Sequence, residues 1–85
     1  MREPHRPSSL WTVQVASFHQ SRDAEDIAGR LKGKGYDAYV IVAEVKSRTW
    51  HRVRVGQGIN HDQALELRNA LIARESFADA YVAVR

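Results

Sequence analysis

WTVQVASF, residues 11–18, and WHRVRVG, residues 50–56, decide the fold. In the first, Val13 and Val15 alternate with Thr12 and Gln14, the two-residue period of a strand with one buried face. In the second, Val53 and Val55 keep the same period forty positions on. The offset continues beyond the strands, because Ala24, Ile27 and Leu31 recur as Ala64, Leu67 and Leu71. The tetrapeptide Asp37-Ala38-Tyr39-Val40 recurs unchanged as Asp79-Ala80-Tyr81-Val82. The chain therefore holds two copies of a strand-helix-strand unit, neither of which could bury its apolar face alone.

Working outward, Ser21 is placed to cap a first helix whose opening turn carries Asp23 and Glu25 and whose stripe is Ala24, Ile27, Ala28 and Leu31. Arg30, Lys32 and Lys34 suit its C-terminal end, Gly35 offers a left-handed stop, and Gly29 in its middle costs about 1 kcal/mol against Ala. Residues 37–45 form a second strand. Lys46, Ser47 and Arg48 turn it into a third, Thr49 to Gly56, which Gly56 and Gly58 are expected to end. Asn60 and Gln63 resemble a capping box for a second helix through about Arg74, with Ala64, Leu67 and Leu71 inward and the Arg68 stem along the same stripe. Ala80 to Val84 supplies the fourth strand. The result is an α+β fold, a βαββαβ two-layer sandwich of ferredoxin-like type with strand order 4-1-3-2 and both helices on one face of an antiparallel sheet.

Composition sets the limits. Eighty-five residues, 44% hydrophobic and 27% charged, allow one small globular domain. Residues 1–9, rich in Pro, Ser, Arg and His, read as a disordered lead-in or linker, so the domain spans 10–85. Cysteine is absent and the formal charge is +3, a mild lean toward anionic partners. The longest apolar run, Ala38–Ala43, is too short to span a bilayer, and the first nine residues lack the apolar core of a signal peptide. No membrane insertion by this segment is expected, and an export signal or anchor is expected to lie outside it.

Strand alternation assigns the faces. Val13, Val15, Val40, Val42, Val53, Val55, Val82 and Val84 are expected to meet the helices. Thr12, Gln14, Ala16, Tyr39, Ile41, Trp50, Arg52, Arg54, Tyr81 and Ala83 are then expected on the other, uncovered face. An exposed Trp among guanidinium and amide groups suits a flat partner with polar edges, which a sugar or a nucleic-acid base provides. The bland reading is that Trp50 and Tyr39 only stiffen the sheet as cross-strand partners.

The paired motifs WTVQVASF and WHRVRVG resemble the signature strands of the SPOR domain, the sporulation-related repeat of bacterial cell-envelope proteins, and the likeness covers about residues 10–85. The resemblance implies a non-catalytic module that binds glycan strands stripped of stem peptides at the division septum, on the sheet face opposite the helices. Gln14 and Ser17 match the family's glycan-contacting Gln and Ser, and Trp50 and Arg52 its aromatic and Arg. Tyr39 and Arg54 join the expected site from their place on the open face. The resemblance further implies a periplasmic or cell-envelope location and contact with division or wall-hydrolase proteins through a parent chain. A monomer without cofactor or metal is expected. Two departures from the family pattern stand out: Ala16 replaces a usual Gly, and Gln57-Gly58 replaces a frequent Pro-Phe. Strict alternation also sends Gln14 and Ser17 to opposite faces, so the strand must bulge or end near Ala16, or Ser17 must act from the rim.

Two rival readings share the topology. RNA-binding RRM domains stack bases on such a sheet, but here the outward third-strand positions are Trp50, Arg52 and Arg54, and the first strand offers Gln14 instead of a ring, so nucleic acid is not expected. Acylphosphatases need an Arg-bearing phosphate loop after the first strand, and Phe18–Ser21 supplies none. Ser17 and His19 lack a third partner for a relay, and His5, His19, His51 and His61 show no ligand spacing.

Overall fold

In the computed structural model, which describes residues 10–85, six elements follow in order: β1 (Trp11–Phe18), α1 (Ser21–Gly33), β2 (Ala38–Val45), β3 (Arg48–Ile59), α2 (His61–Glu75) and β4 (Tyr81–Val84). The expected lead-in, residues 1–9, lies outside the described residues. The strands form one antiparallel sheet in the order β2-β3-β1-β4, the expected order seen from the other edge. Ala24, Ala28 and Leu31 of α1 and Ala64 and Leu71 of α2 join Val13, Val15, Val53 and Val55 in one core, with Ile27 and Leu67 packed against it. Val13, Val53, Val55 and Leu71 are almost wholly buried, each worth about 1.5–3 kcal/mol in apolar transfer.

The helix ends follow local chemistry. The Asn60 side chain accepts the Gln63 N–H at 2.8 Å and the Gln63 side chain accepts the Asn60 N–H at 2.9 Å, closing the expected capping box. Ser21 does not cap α1. The helix begins with it, Gln20 is the cap residue, and no side chain closes that end. With only His19 and Gln20 between β1 and α1, Ser21 is already in the first turn. At the other end Gly35 has φ +96° and the Tyr36 N–H reaches back to the Leu31 carbonyl, as a glycine stop requires. The C-termini of the two helices are clamped by Glu75, which accepts from Lys34 Nζ at 2.6 Å and from Tyr36 Oη at 3.2 Å. The Lys34 ammonium, helped by the Tyr36 hydroxyl, holds the Glu75 carboxyl below the usual carboxylate range, and burial pushes the Tyr36 phenol up.

Three details of the sheet differ from the expected pattern. β3 does not stop at Gly56 but runs on to Ile59, because Gly56 and Gly58, at φ +91° and +73°, form an irregularity in which four β3 residues span two of β1. The carbonyl of Asp37 accepts the Gly56 N–H at 2.8 Å and its carboxylate accepts the Gln57 N–H at 3.3 Å, which fastens the bulge to the start of β2. Second, Val42 and Val84 were expected under the helices and are 62% and 53% exposed. Their register partners, His51 and Trp11, put them on the helix side, but the helices end short of these corners. Third, β1 carries a bulge of its own. Gln14 pairs with Arg54 while Ala16 pairs with Val53, so Val15 is the extra residue.

Candidate functional site

The Val15 bulge shifts the parity of everything after it in β1. Ser17 pairs with Arg52 and so shares the open face with Gln14, whose partner is Arg54. Ala16, expected on that face, pairs with Val53 instead and packs against the core. The extra residue is what resolves the opposed parities of Gln14 and Ser17.

Three rows of side chains cross the open face. In the first, Tyr39 of β2, Arg54 of β3, Gln14 of β1 and Tyr81 of β4 stand side by side. The second holds Ile41, Arg52 and Ser17, and the third Ala43 and Trp50. All six expected site residues therefore lie on one face, in adjoining rows.

The first row is bonded within itself and to the second. Arg54 Nε donates to Gln14 Oε1 at 3.0 Å, and Gln14 Nε2 donates to Ser17 Oγ at 3.2 Å. Gln14 is only 6% exposed, so its amide chiefly orients its neighbours, leaving the Arg54 Nη groups and the Ser17 proton to point elsewhere. Thr12, expected exposed, is fully buried on this face. It donates to the Val55 carbonyl at 3.1 Å and lies 2.9 Å from Tyr39 Oη, which anchors that phenol. Long side chains on the flanking strands have folded over the short ones between them. Trp50 is half-buried, its ring 3.9 Å between centroids from that of His19 at a 36° tilt. His19 Nδ1 in turn sits 3.1 Å from the Thr49 carbonyl, so the imidazole is fixed against the indole. Nothing in the local spacing pointed to that contact, because His19 lies beyond the end of β1.

β4 pairs only with Trp11–Gln14, so the later part of β1 has no strand on that side. A groove of about 360 Å³ opens there, lined by Gln14, Val15, Ala16, Ser17, Asp79 and Tyr81. Asp79 was not among the expected site residues, although the repeated Asp-Ala-Tyr-Val was the signal that could have drawn attention to it. Among the described residues no group of three or more His, Asp or Glu is placed to hold a metal ion, and no helix is long and apolar enough to cross a membrane.

Arg52, Arg54, Trp50, Gln14 and the two tyrosines thus combine cation, ring and amide on an uncovered sheet, an arrangement suited to binding. The arrangement has relatives. The crystal structure of the RlpA SPOR domain from Pseudomonas aeruginosa superposes with a TM-score of 0.72 at 18% identity, covering 88% of this chain and 99% of that one, so the fold is shared. A search of curated protein sequences finds none that matches. The profile of the SPOR domain family matches residues 7–83, nearly the whole chain. This chain therefore belongs to the SPOR domain family of peptidoglycan-binding modules, which are associated with the cell envelope and the division septum.

Proposed function

We propose that this SPOR domain binds glycan strands that have lost their stem peptides, on the open face of its sheet, as a monomeric, non-catalytic module in the bacterial periplasm at the septum. One observation carries the reading: the Val15 bulge gathers Gln14, Ser17, Arg52 and Arg54 on one face beside Trp50. A glycan strand offers flat C–H faces for the ring pair of Trp50 and His19. It also offers acetamido groups for Ser17 and Arg54, and one lactyl carboxylate on each muramic acid once an amidase has removed the peptide. Arg52 suits that carboxylate because its planar fork can donate two parallel bonds, which Lys cannot. Stem peptides would stand between the sugar chain and the sheet, so their removal is what admits the strand. Through whatever chain carries it, the domain would bring division or wall-hydrolase proteins to such strands.

The test is binding to isolated sacculi with and without amidase treatment. Binding should rise on treatment, fall with Arg52→Lys, and decline only shallowly with salt because few charges take part. Steep loss with salt on single-stranded RNA, with a log-log slope near −0.7 per phosphate contacted, together with no gain on treated sacculi, would replace the glycan reading with an RNA one.

A further inference from the structure

The internal repeat is broken between Asp37 and Asp79, and the break lies beside the proposed glycan face. In the first half, Asp37 is clasped to β3: its carbonyl takes the N–H of Gly56 and its carboxylate the N–H of Gln57. Forty positions earlier, Gly56 and Gln57 correspond to Ala16 and Ser17, and the repeat of Asp37 is Asp79. The strand registers agree, since Tyr39 stands beside Arg54 and its repeat Tyr81 beside Gln14. Among the described residues, however, Asp79 makes neither bond of the clasp. It lines the 360 Å³ groove together with Ala16, Ser17 and the half-exposed Tyr81. Where the first half has a carboxylate on a backbone N–H, the second has Asp79 lining a groove of ligand size without that bond.

Resting on the glycan reading, we infer that this groove is a subsite for the acetamido group of an N-acetylated amino sugar, with Asp79 as the acceptor of its N–H. The lining supplies each part such a group needs. The Asp79 carboxylate accepts. Ser17, whose oxygen already accepts from Gln14, directs its own proton outward to the acetyl carbonyl. The Tyr81 ring, with Val15 and Ala16 beneath, receives the methyl. Charge also separates the groove from the rest of the face: Asp79 is its one acid, whereas Arg52 and Arg54 lie on β3, on the other side of β1. A strand whose acetamido groups and carboxylates differ in position is thereby held in one direction, with one acetamido group toward β4 and a carboxylate toward Arg52 of β3.

The test is titration of the whole chain with three tetrasaccharides by nuclear magnetic resonance: N-acetylglucosamine tetramer, cellotetraose and glucosamine tetramer. The acetylated sugar should bind about tenfold more tightly than cellotetraose, the worth of one hydrogen bond to a charged group, and shift Ser17 and Tyr81. Asp79→Ala should erase that difference, and Asp79→Asn, which keeps a neutral acceptor, should lose about threefold. Equal binding of acetylated sugar and cellotetraose, or no effect of Asp79→Ala, overturns the subsite. So does tightest binding of the free-amine tetramer with equal loss in both variants, which would make the groove a cation site. Amidase-treated sacculi, titrated in parallel, separate the two levels. Retention there without any Asp79 dependence refutes the subsite and leaves the glycan reading standing, whereas no retention at all refutes that reading itself.

Discussion

Gln14→Leu should weaken binding to amidase-treated sacculi by roughly tenfold while leaving the fold nearly as stable. Gln14 is almost buried and sits between Arg54 and Ser17, accepting from the first and donating to the second. An Arg side chain carries about 2 kcal/mol of rotamer entropy, and the bond from Nε to Oε1 restrains most of its length before any ligand arrives. Releasing it adds on the order of 1.4 kcal/mol to the ordering needed on binding, hence the tenfold. Stability moves less. A charge-assisted bond worth about 1.5–3 kcal/mol is lost, but the half-exposed guanidinium regains water and the leucine gains a comparable burial. The melting temperature should therefore change by no more than about 8 °C, the equivalent of roughly 1 kcal/mol in a domain of this size. The assay is a double-mutant cycle with Arg54→Ala, reading sacculus binding and thermal melting for all four proteins. If Gln14 acts through Arg54, Gln14→Leu has little further effect once Arg54 is gone, and the coupling energy is about 1.4 kcal/mol. Strictly additive losses would show that Gln14 meets the glycan by itself and refute the positioning argument.

Trp50→Ala should reduce glycan affinity by about 2 kcal/mol with little change in melting, whereas Val53→Ala, at a wholly buried position, should cost a kcal/mol or more of stability, roughly, and spare binding by the folded fraction. Equal effects of the two on affinity and melting would make Trp50 a packing residue. Gly29→Ala should stabilise by about 1 kcal/mol, since a Cβ there meets nothing within 4 Å. Gly56→Ala should destabilise, because φ is +91° and the new Cβ would stand 2.8 Å from Ile59 Cδ1; denaturant midpoints for the pair should move in opposite directions. Glu75 is held below its ordinary value of 4.5, so its contribution is present above that pH and is lost as pH falls through the lowered value. Melting curves between pH 5 and 2 should fall less steeply for Glu75→Gln than for the natural chain, and parallel curves would dismiss the clamp.

The repeat at an offset of forty residues was enough to read the element order, the sheet order and the central valines, because apolar period and copy number act over whole elements. Features set by one residue were harder to read. Alternation counts every residue, so it cannot see that Val15 is supernumerary; only the clash between Gln14 and Ser17 hinted at it. Gly56 and Gly58 read as a strand end, since glycine marks a turn and a bulge alike, and the contacts of Asp37 decide between them. The exposure of Val42 and Val84 depends on where two helices stop, and the burial of Thr12 and Gln14 on how far Tyr39 and Arg54 reach. Neither quantity is local.

The Arg85 N–H donates to the Leu10 carbonyl at 2.8 Å, so the first and last described residues of the sheet are neighbours. Both lie at the end of β1 that begins with Trp11, while Phe18 and the His19–Trp50 contact lie at the other. The chain can accordingly be cut and rejoined. A few glycines linking residue 85 to residue 10, with new termini opened between Lys46 and Ser47, would give a circular permutant in which every strand pairing survives. In that rearranged protein the attachment point moves from the far end of the sheet to the tip of the β2–β3 hairpin, beside Trp50. The domain would then approach a surface from the opposite direction with its binding residues unchanged, which separates the contribution of tether geometry to recruitment from that of affinity.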